Sequence, residues 1–331
     1  MATVKDVARH ANVSIATVSR IINNQGTVSP EIRERVLAAI QALDYRPSRV
    51  ARRLRTNSTF VIGLVISDIQ NSFYTSLTRG VEDVASANGY SLLLCNTDED
   101  PQRERKYLEV MHEENVAGII LASATEGGHD TRLIQASIPV VALDRVLTDV
   151  SVDTVLVDNI AGARQAVEHL ISRGHRRIGA ILGERPITSS IERLEGYVQA
   201  LSHAGLPVDP NLIRRADLRQ ADDSTRCALE LLNLPERPTA LFTGNSLITL
   251  GTLRAIQAAG LHIPRDIALV AFDDIPWGEL LNPPLTAIRQ PTYQLGKTAA
   301  EMLLARIAEP DRPVTQVRLP VEFIVRASSG A

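Results

Sequence analysis

Thr3-Val4-Lys5-Asp6-Val7-Ala8-Arg9-His10-Ala11-Asn12-Val13-Ser14-Ile15-Ala16-Thr17-Val18-Ser19-Arg20-Ile21-Ile22-Asn23, near the N-terminal end of the chain, carries two short helical patterns joined by a two-residue break. Val4, Val7, Ala8 and Ala11 recur at i, i+3, i+4 and i+7, which predicts a helix with one apolar stripe. Thr3 caps it, and Asp6 three residues on completes a capping-box pattern. Asn12-Val13 has room for a tight turn and little else. Ser14 then caps a second helix in which Val18, Ile21 and Ile22 face inward, leaving Ile15, Ala16, Thr17, Ser19, Arg20 and Asn23 to look outward or toward the helix start. Ser29-Pro30, a cap followed by proline at the first helical position, opens a third helix with Ile32, Val36, Ile40 and Leu43 along one face. This is the pattern of a helix-turn-helix, whose second helix enters the DNA major groove with its N-terminal side chains on base edges.

Charge separates this end from the rest. The 331-residue chain has a net charge of −3, which by itself argues against nucleic acid. Residues 1–59, however, hold ten Lys and Arg against four acids, so the first segment is +6 and the remainder −9. A basic lobe on an acidic body suits phosphate binding, because only the lobe needs to release counterions from DNA. A merely solvated charged face would not gather the surplus at one end.

The next element is Pro47-Ser48-Arg49-Val50-Ala51-Arg52-Arg53-Leu54-Arg55. On a helix Val50, Ala51 and Leu54 share one face and four arginines take the rest. Such a helix is too short and too charged to stand alone, and would form when two copies pack on DNA. The residues alone also allow a flexible basic linker.

From Phe60 the pattern becomes α/β. Val61–Ile66 is a continuous apolar run suited to a buried parallel strand. A helical pattern follows over 73–88, a strand over 91–95, a charged helix near 101–115, and strands over 117–121, 140–143 and 154–157. A second set brings strands over 177–182, 240–243 and 267–272 and one last strand near 317–323. Two alternating sets predict two doubly wound parallel sheets in a two-lobed body, with ligands beyond the carboxyl ends of the strands and hence in the cleft between lobes. The polar residues just after strands are therefore candidates: the loop from Asp68 to Tyr74, Asp144-Arg145, Asn245 and Asp273-Asp274, with Arg193 in the run Glu192–Tyr197. Strand-end polar residues also serve as turn and cap formers, and the spacing alone does not separate the two roles.

Several of these runs together carry a resemblance. Val4–Ala8, Val13–Asn23, Val28-Ser29-Pro30 and Leu43-Asp44-Tyr45-Arg46-Pro47 resemble the LacI/GalR family of bacterial repressors. Asn71-Ser72-Phe73-Tyr74, Leu143-Asp144-Arg145, the Arg193 run and Ala271–Trp277 resemble the effector-contact motifs of its sugar-responsive members. The resemblance covers essentially the whole chain. It implies that Ile15 and Ala16 select the operator, with apolar contact to a thymine methyl, and that Arg20 meets a guanine edge or else a phosphate. It implies phosphate or groove contacts for Thr17, Ser19, Asn23, Thr3, Ser14, Arg49 and Ala51, although a cap role explains Thr3 and Ser14 without DNA. Leu54 would be a hinge-helix wedge that enters a central base step from the minor groove and kinks the duplex. Phe73 and Trp277 would offer ring faces to a sugar, and Tyr74, Asp144, Arg145, Ser189, Arg193, Asn245 and Asp273 would be its other contacts. Trp277 has the alternative of a half-buried rim residue. Asp98-Glu99-Asp100 and the acidic body disfavour a strongly anionic effector.

The resulting expectation is a helix-turn-helix domain over 1–46, a hinge over 47–59 and an effector-binding and dimerisation body over 60–331. In that body one lobe is about 60–160 and 291–318, the other about 161–290 and 319–331, and Pro283–Pro291 returns the chain from the second to the first. The partners expected are an operator of double-stranded DNA with pseudo-palindromic symmetry, a second copy of the chain and a small sugar-like effector. No long heptad tail follows, which favours a dimer over a tetramer. Cys95 and Cys227 lie in apolar or helical stretches and read as reduced packing residues with neither disulfide nor metal spacing. No apolar leader or 18-residue apolar run occurs, so the expectation is a soluble protein of the cytoplasm, associated with the nucleoid and not with membrane. A periplasmic sugar-binding protein would share the body but neither the basic lobe nor the lack of a leader. An enzyme is weaker still: the dinucleotide, P-loop, nucleophile-elbow and zincin motifs are all missing, and no cofactor is expected.

Overall fold

The structure, a computed structural model, describes residues 2–22, 28–45, 59–125, 127, 134, 138–184, 187–220 and 222–330. The chain divides into two compact units, Met1–Thr59 and Phe60–Ala331.

In the first unit, α1 (Val4–His10), α2 (Ile15–Ile22) and α3 (Pro30–Ala42) close over Val7, Val18, Val36 and Ala39. The capping box is formed: the Asp6 amide donates to Thr3 Oγ1 at 3.3 Å and the Thr3 amide to Asp6 Oδ2 at 2.9 Å. Asn12 takes the left-handed conformation (φ 50°) that lets the chain reverse between helices. Arg35 of α3 donates to the carbonyls of Ala11 and Asn12 at 2.8 and 3.3 Å, using orphan acceptors at the end of α1. Ser14 Oγ accepts the Thr17 amide at 3.1 Å at the start of α2. Ser29 stands at the N-cap of α3, but its side chain makes no capping bond.

The second unit holds two six-stranded sheets. Their strands are β1 (Val61–Ile66), β2 (Ser91–Asn96), β3 (Gly118–Leu121), β4 (Val140–Leu143), β5 (Asp153–Val157), β6 (Ile178–Gly183), β7 (Ile213–Ala216), β8 (Ala240–Thr243), β9 (Ala268–Phe272), β10 (Thr286–Arg289), β11 (Gln316–Leu319) and β12 (Glu322–Ile324). The first sheet runs β2-β1-β3-β4-β5-β11 and the second β7-β6-β8-β9-β10-β12, the same winding used twice. All pairings are parallel except β10 with β12. Strands buried on both faces need helices on both faces. In the first lobe these are α4 (Ser72–Ala87) and α10 (Thr292–Ala308) on one side, with α5 (Pro101–Glu113) on the other. In the second lobe α6 (Asn159–Ser172) and α7 (Thr188–His203) face α8 (Asp223–Leu232) and α9 (Ser246–Ala258) across the sheet.

Three features depart from the sequence expectations: within the run 283–291, expected as the crossover between lobes, Thr286–Arg289 forms strand β10 of the second sheet. The single last strand expected near 317–323 is two strands in two different sheets, because Pro320 interrupts the ladder where the chain crosses between lobes. Val321, just beyond it, packs against the cores of both lobes. Strand β7 was not anticipated: Ile-Arg-Arg-Ala is an edge strand, and its two arginines hide the apolar pattern.

Candidate functional site

Strand ends decide what faces the cleft. A cavity of about 520 Å³ lies between the carboxyl ends of the two sheets, and eight of the nine proposed effector residues line it: Phe73, Tyr74, Asp144, Arg145, Ser189, Arg193, Asn245 and Asp273. Asp144 and Asp273 follow β4 and β9 directly in left-handed backbone (φ 66° and 82°), a conformation aspartate tolerates better than most residues. Both are buried, each 8% exposed. Burial pushes the Asp144 carboxyl above its ordinary pKa, against the opposing pull of the Arg145 and Arg193 guanidiniums.

Asp273 is oriented before any ligand arrives. Its Oδ2 accepts the Ser246 amide at 3.0 Å, and its Oδ1 accepts from Gln290 Nε2. Arg193 lies with its guanidinium carbon 3.8 Å from the Phe272 ring centroid, donates from Nε to Asn159 Oδ1 at 2.9 Å and from Nη1 to the Gly244 carbonyl. Arg145 is held from the other side by Glu99, whose two oxygens accept from Nη1 at 2.9 Å and Nη2 at 2.6 Å. Arg145 Nη2 also reaches Ser67 Oγ at 3.2 Å, and Ser67 donates to the Tyr74 hydroxyl at 2.8 Å. Tyr74 is fully enclosed, and burial drives its hydroxyl well above the usual range. Phe73 stands edge-on to Tyr74, with centroids 4.9 Å apart, and gives the cavity an aromatic wall. Asn245 caps α9 by accepting the Ile248 amide at 2.9 Å. Carboxylates outnumber guanidiniums seven to four along the lining.

Trp277 is not brought to the cavity. After Asp273 the chain turns away, held by Asp274, which accepts from Arg289 Nη2 at 2.7 Å and Arg326 Nη1 at 2.7 Å. Trp277 is left 47% exposed at the start of a 3-10 turn. It does not line the cavity, and it is more exposed than the half-buried rim residue that the sequence also allowed. Conversely, Gln290 lines the cavity and was not anticipated as an effector contact, and Glu99, read from the sequence only as part of an acidic run, lines it too. Gln290 sits at the carboxyl end of β10, the same position that Asp273 has on β9, and it was missed because β10 itself was not read as a strand. Its Oε1 is buried with no hydrogen-bond partner and is available to a donor.

Besides the Arg318–Glu192 pair near the chain crossing, hydrogen bonds among the described residues join the lobes across the cleft. Ser246 Oγ at the start of α9 donates to Asn71 Oδ1 of the first lobe at 3.1 Å, and the Val146 amide donates to Thr188 Oγ1 of α7 at 2.9 Å. They tie the lobes together at the cavity's edge.

In the first unit Ser14, Ile15, Ala16 and Arg20 are exposed, while Thr17 and Ser19 are half-buried. Thr3 is exposed as well, with its hydroxyl engaged in the capping box. Asn23, Arg49, Ala51 and Leu54 lie outside the described residues. Among the described residues no helix is long and apolar enough to cross a membrane. Cys95 and Cys227 are both free and buried.

Residues 59–327 match the family described as periplasmic binding proteins and sugar binding domain of the LacI family, and residues 3–48 match the bacterial regulatory proteins of the lacI family. The chain is 38% identical over 329 residues to the ribose operon repressor of Halalkalibacterium halodurans, covering 99% of this chain and 97% of the relative. It is 34% identical over 330 residues to the HTH-type transcriptional repressor PurR of Vibrio atlanticus, covering 99% and 98%. A LacI family transcriptional regulator from Enterococcus faecium with bound ribose aligns with a TM-score of 0.74 at 31% identity, over 81% of this chain and 98% of that one. The Lac repressor dimer bound to operator and the anti-inducer ONPF aligns with a TM-score of 0.87 at 28% identity, over 99% of both chains. A capped helix-turn-helix and a two-lobed body with a ligand-sized cleft thus stand in one chain in the family's order, and the chain belongs to the LacI family of DNA-binding transcriptional regulators.

Proposed function

We propose that this protein is a homodimeric repressor that binds a pseudo-palindromic operator and responds to an uncharged sugar of about pentose size. Residues 1–46 would read one half-site each, and 47–59 would form the hinge, with Leu54 as its wedge. The sugar would bind among Phe73, Tyr74, Asp144, Arg145, Ser189, Arg193, Asn245 and Asp273, with Gln290 added. A ring of hydroxyls needs donors and acceptors around its rim and an apolar surface against its C–H face. The observation that carries this reading is the preset Asp273, fixed by Ser246 and Gln290 and facing Arg193 and Asp144 across a cavity with an aromatic wall. The names of the ribose-associated relatives point the same way.

The effector would be read through closure of the lobes, which shifts the first-lobe faces of a dimer and with them the hinge. A preference for one state of about 1–3 kcal/mol switches occupancy usefully. The protein would act in the cytoplasm on the nucleoid and would catalyse no reaction.

Thermal denaturation of the full chain with neutral pentoses, hexoses and purine bases tests the reading, because a ligand that binds only the folded state raises the midpoint by mass action. A rise with a pentose, matched by a change in operator affinity, is the expected result. A rise with purines alone would replace the sugar with a base.

A further inference from the structure

We infer that Glu99 is the residue that makes this cavity selective for uncharged sugars, by occupying the guanidinium of Arg145 and withholding it from an anionic effector. The inference rests on the sugar reading above and sharpens it. Arg145 carries four N–H bonds on its two terminal nitrogens, and the structure accounts for all four. Nη1 donates to Glu99 Oε2 at 2.9 Å and to the Ser123 carbonyl; Nη2 donates to Glu99 Oε1 at 2.6 Å and to Ser67 Oγ at 3.2 Å. Nε is buried without a hydrogen-bond partner, 3.7 Å from Asp144 Oδ2. Arg145 therefore has only its buried Nε–H without a hydrogen bond, and its charge is already matched. A phosphate or carboxylate gains no unmatched cation from it.

Glu99 is built to hold this position. It lies three residues past β2 in left-handed backbone (φ 58°), and its amide donates at 3.0 Å to the carbonyl of Ser67, the same serine whose hydroxyl receives Arg145. Arg145 is buried and Glu99 nearly so, with side-chain exposures of 4% and 13%, so bulk water competes little for the pair. The other cavity arginines do not restore a positive site. Arg219 is paired with Asp217 through Nε–Oδ1 and Nη2–Oδ2 bonds of 3.0 Å each. Arg193 has Asp273 and Asp144 as nearby counter-charges. Arg254 is exposed at the wall, where water screens it. A charged group entering the cavity thus meets a lining with more carboxylates than guanidiniums. The effector is then the sugar as it stands before phosphoryl transfer to one of its hydroxyls, and that reaction ends the signal.

The test is isothermal titration of the full-length protein and its Glu99→Gln variant with D-ribose, ribose 5-phosphate and ribonate, alongside other neutral sugars and their phosphates. The wild type is expected to bind the neutral member of a pair and reject the anionic one. Freeing one buried positive charge should narrow that ratio on the order of 10-fold in Glu99→Gln, while Glu99→Asp keeps the wild-type preference. Should the Gln variant fail to fold, a salt series on the wild type decides: ribose affinity stays flat and competition by the phosphate strengthens with salt as repulsion is screened. A wild type that prefers a sugar phosphate overturns this inference and leaves the sugar reading standing. An unchanged ratio in a folded Gln variant, or phosphate competition that weakens with salt, also overturns it. If no sugar of either kind binds, the sugar reading falls and takes this inference with it.

Discussion

Asp144 and Asp273 occupy the same place in the two halves of the body. Each directly follows a central strand, each is left-handed, and each donates its amide at 3.0 Å to a carbonyl of the neighbouring strand, Val155 for Asp144 and Ile288 for Asp273. Winding the same topology twice delivers one buried carboxylate from each lobe to the shared cleft. Their surroundings differ: Asp144 lies beside Arg145, whereas Asp273 accepts from Ser246 and Gln290.

Asp273→Ala removes the acceptor of the Ser246 amide and of Gln290 Nε2. Effector affinity should fall about 10- to 100-fold, corresponding to the ~1–3 kcal/mol of an unsatisfied buried donor. Calorimetric titration with the identified sugar measures this, and an unaltered Kd would remove Asp273 from the site. Operator affinity without effector should hold.

Leu54→Ala acts at the other end. If Leu54 is the wedge proposed above, truncating it should weaken operator binding by tenfold or more and leave effector affinity within twofold. Fluorescence anisotropy with an operator duplex reads the first quantity and titration the second. Equal operator affinity in variant and wild type would count against the wedge.

Ser246→Ala deletes the cross-cleft bond to Asn71 without touching the helix cap, which Asn245 supplies. A loss of ~0.5–1.5 kcal/mol from the closed form is expected, read as faster effector dissociation by a few-fold in stopped flow. The double variant with Asn71→Ala should add little beyond Asn71→Ala alone. Full additivity would show that the two side chains do not communicate.

Gly296→Ala tests the packing beneath the first lobe. A Cβ there would meet the Leu77 carbonyl oxygen at 2.0 Å, and one on Gly80 would meet the Tyr293 carbonyl oxygen at 2.2 Å, so α4 and α10 touch backbone to backbone through reciprocal glycines. The substitution should cost about 1–3 kcal/mol. Urea denaturation of the variant measures it, and a midpoint equal to the wild type's would contradict the close approach.

Asp217 supplies a pH test. The Arg219 side chain holds its carboxyl down at about 2, against an ordinary value of 3.8. A depressed carboxyl stabilises the fold above the unfolded pKa, and that stability is lost as pH falls toward the folded one. The stability gap between wild type and Asp217→Asn, of about 1 kcal/mol after screening, should be constant above pH ~5. It should close between about pH 4 and 2. A gap that persisted unchanged to pH 2 would place the effect elsewhere.

What the sequence by itself determined is what local chemistry encodes. The stripe Val4, Val7, Ala8, Ala11, the Thr3–Asp6 box and the Asn12 turn are relations within a few residues, and the structure reproduces them. The apolar runs from Val61 to Phe272 announce buried parallel strands for the same reason, and strand ends point to Asp144, Asn245 and Asp273. Tertiary structure alone decided which distant groups meet. Glu99 and Arg145 are 46 positions apart, Asn71 and Ser246 175 apart, and no periodicity links them. Trp277 reads as a ligand aromatic in a motif, yet the ion pairs of Asp274 with Arg289 and Arg326 send that loop to the surface. The last segment reads as one strand, but Pro320 stops the ladder, and its two halves gain more by pairing with different sheets. Side-chain type and spacing specify local turns and faces; the charge balance of a cavity depends on which partners the folded chain places within 3 Å of one another.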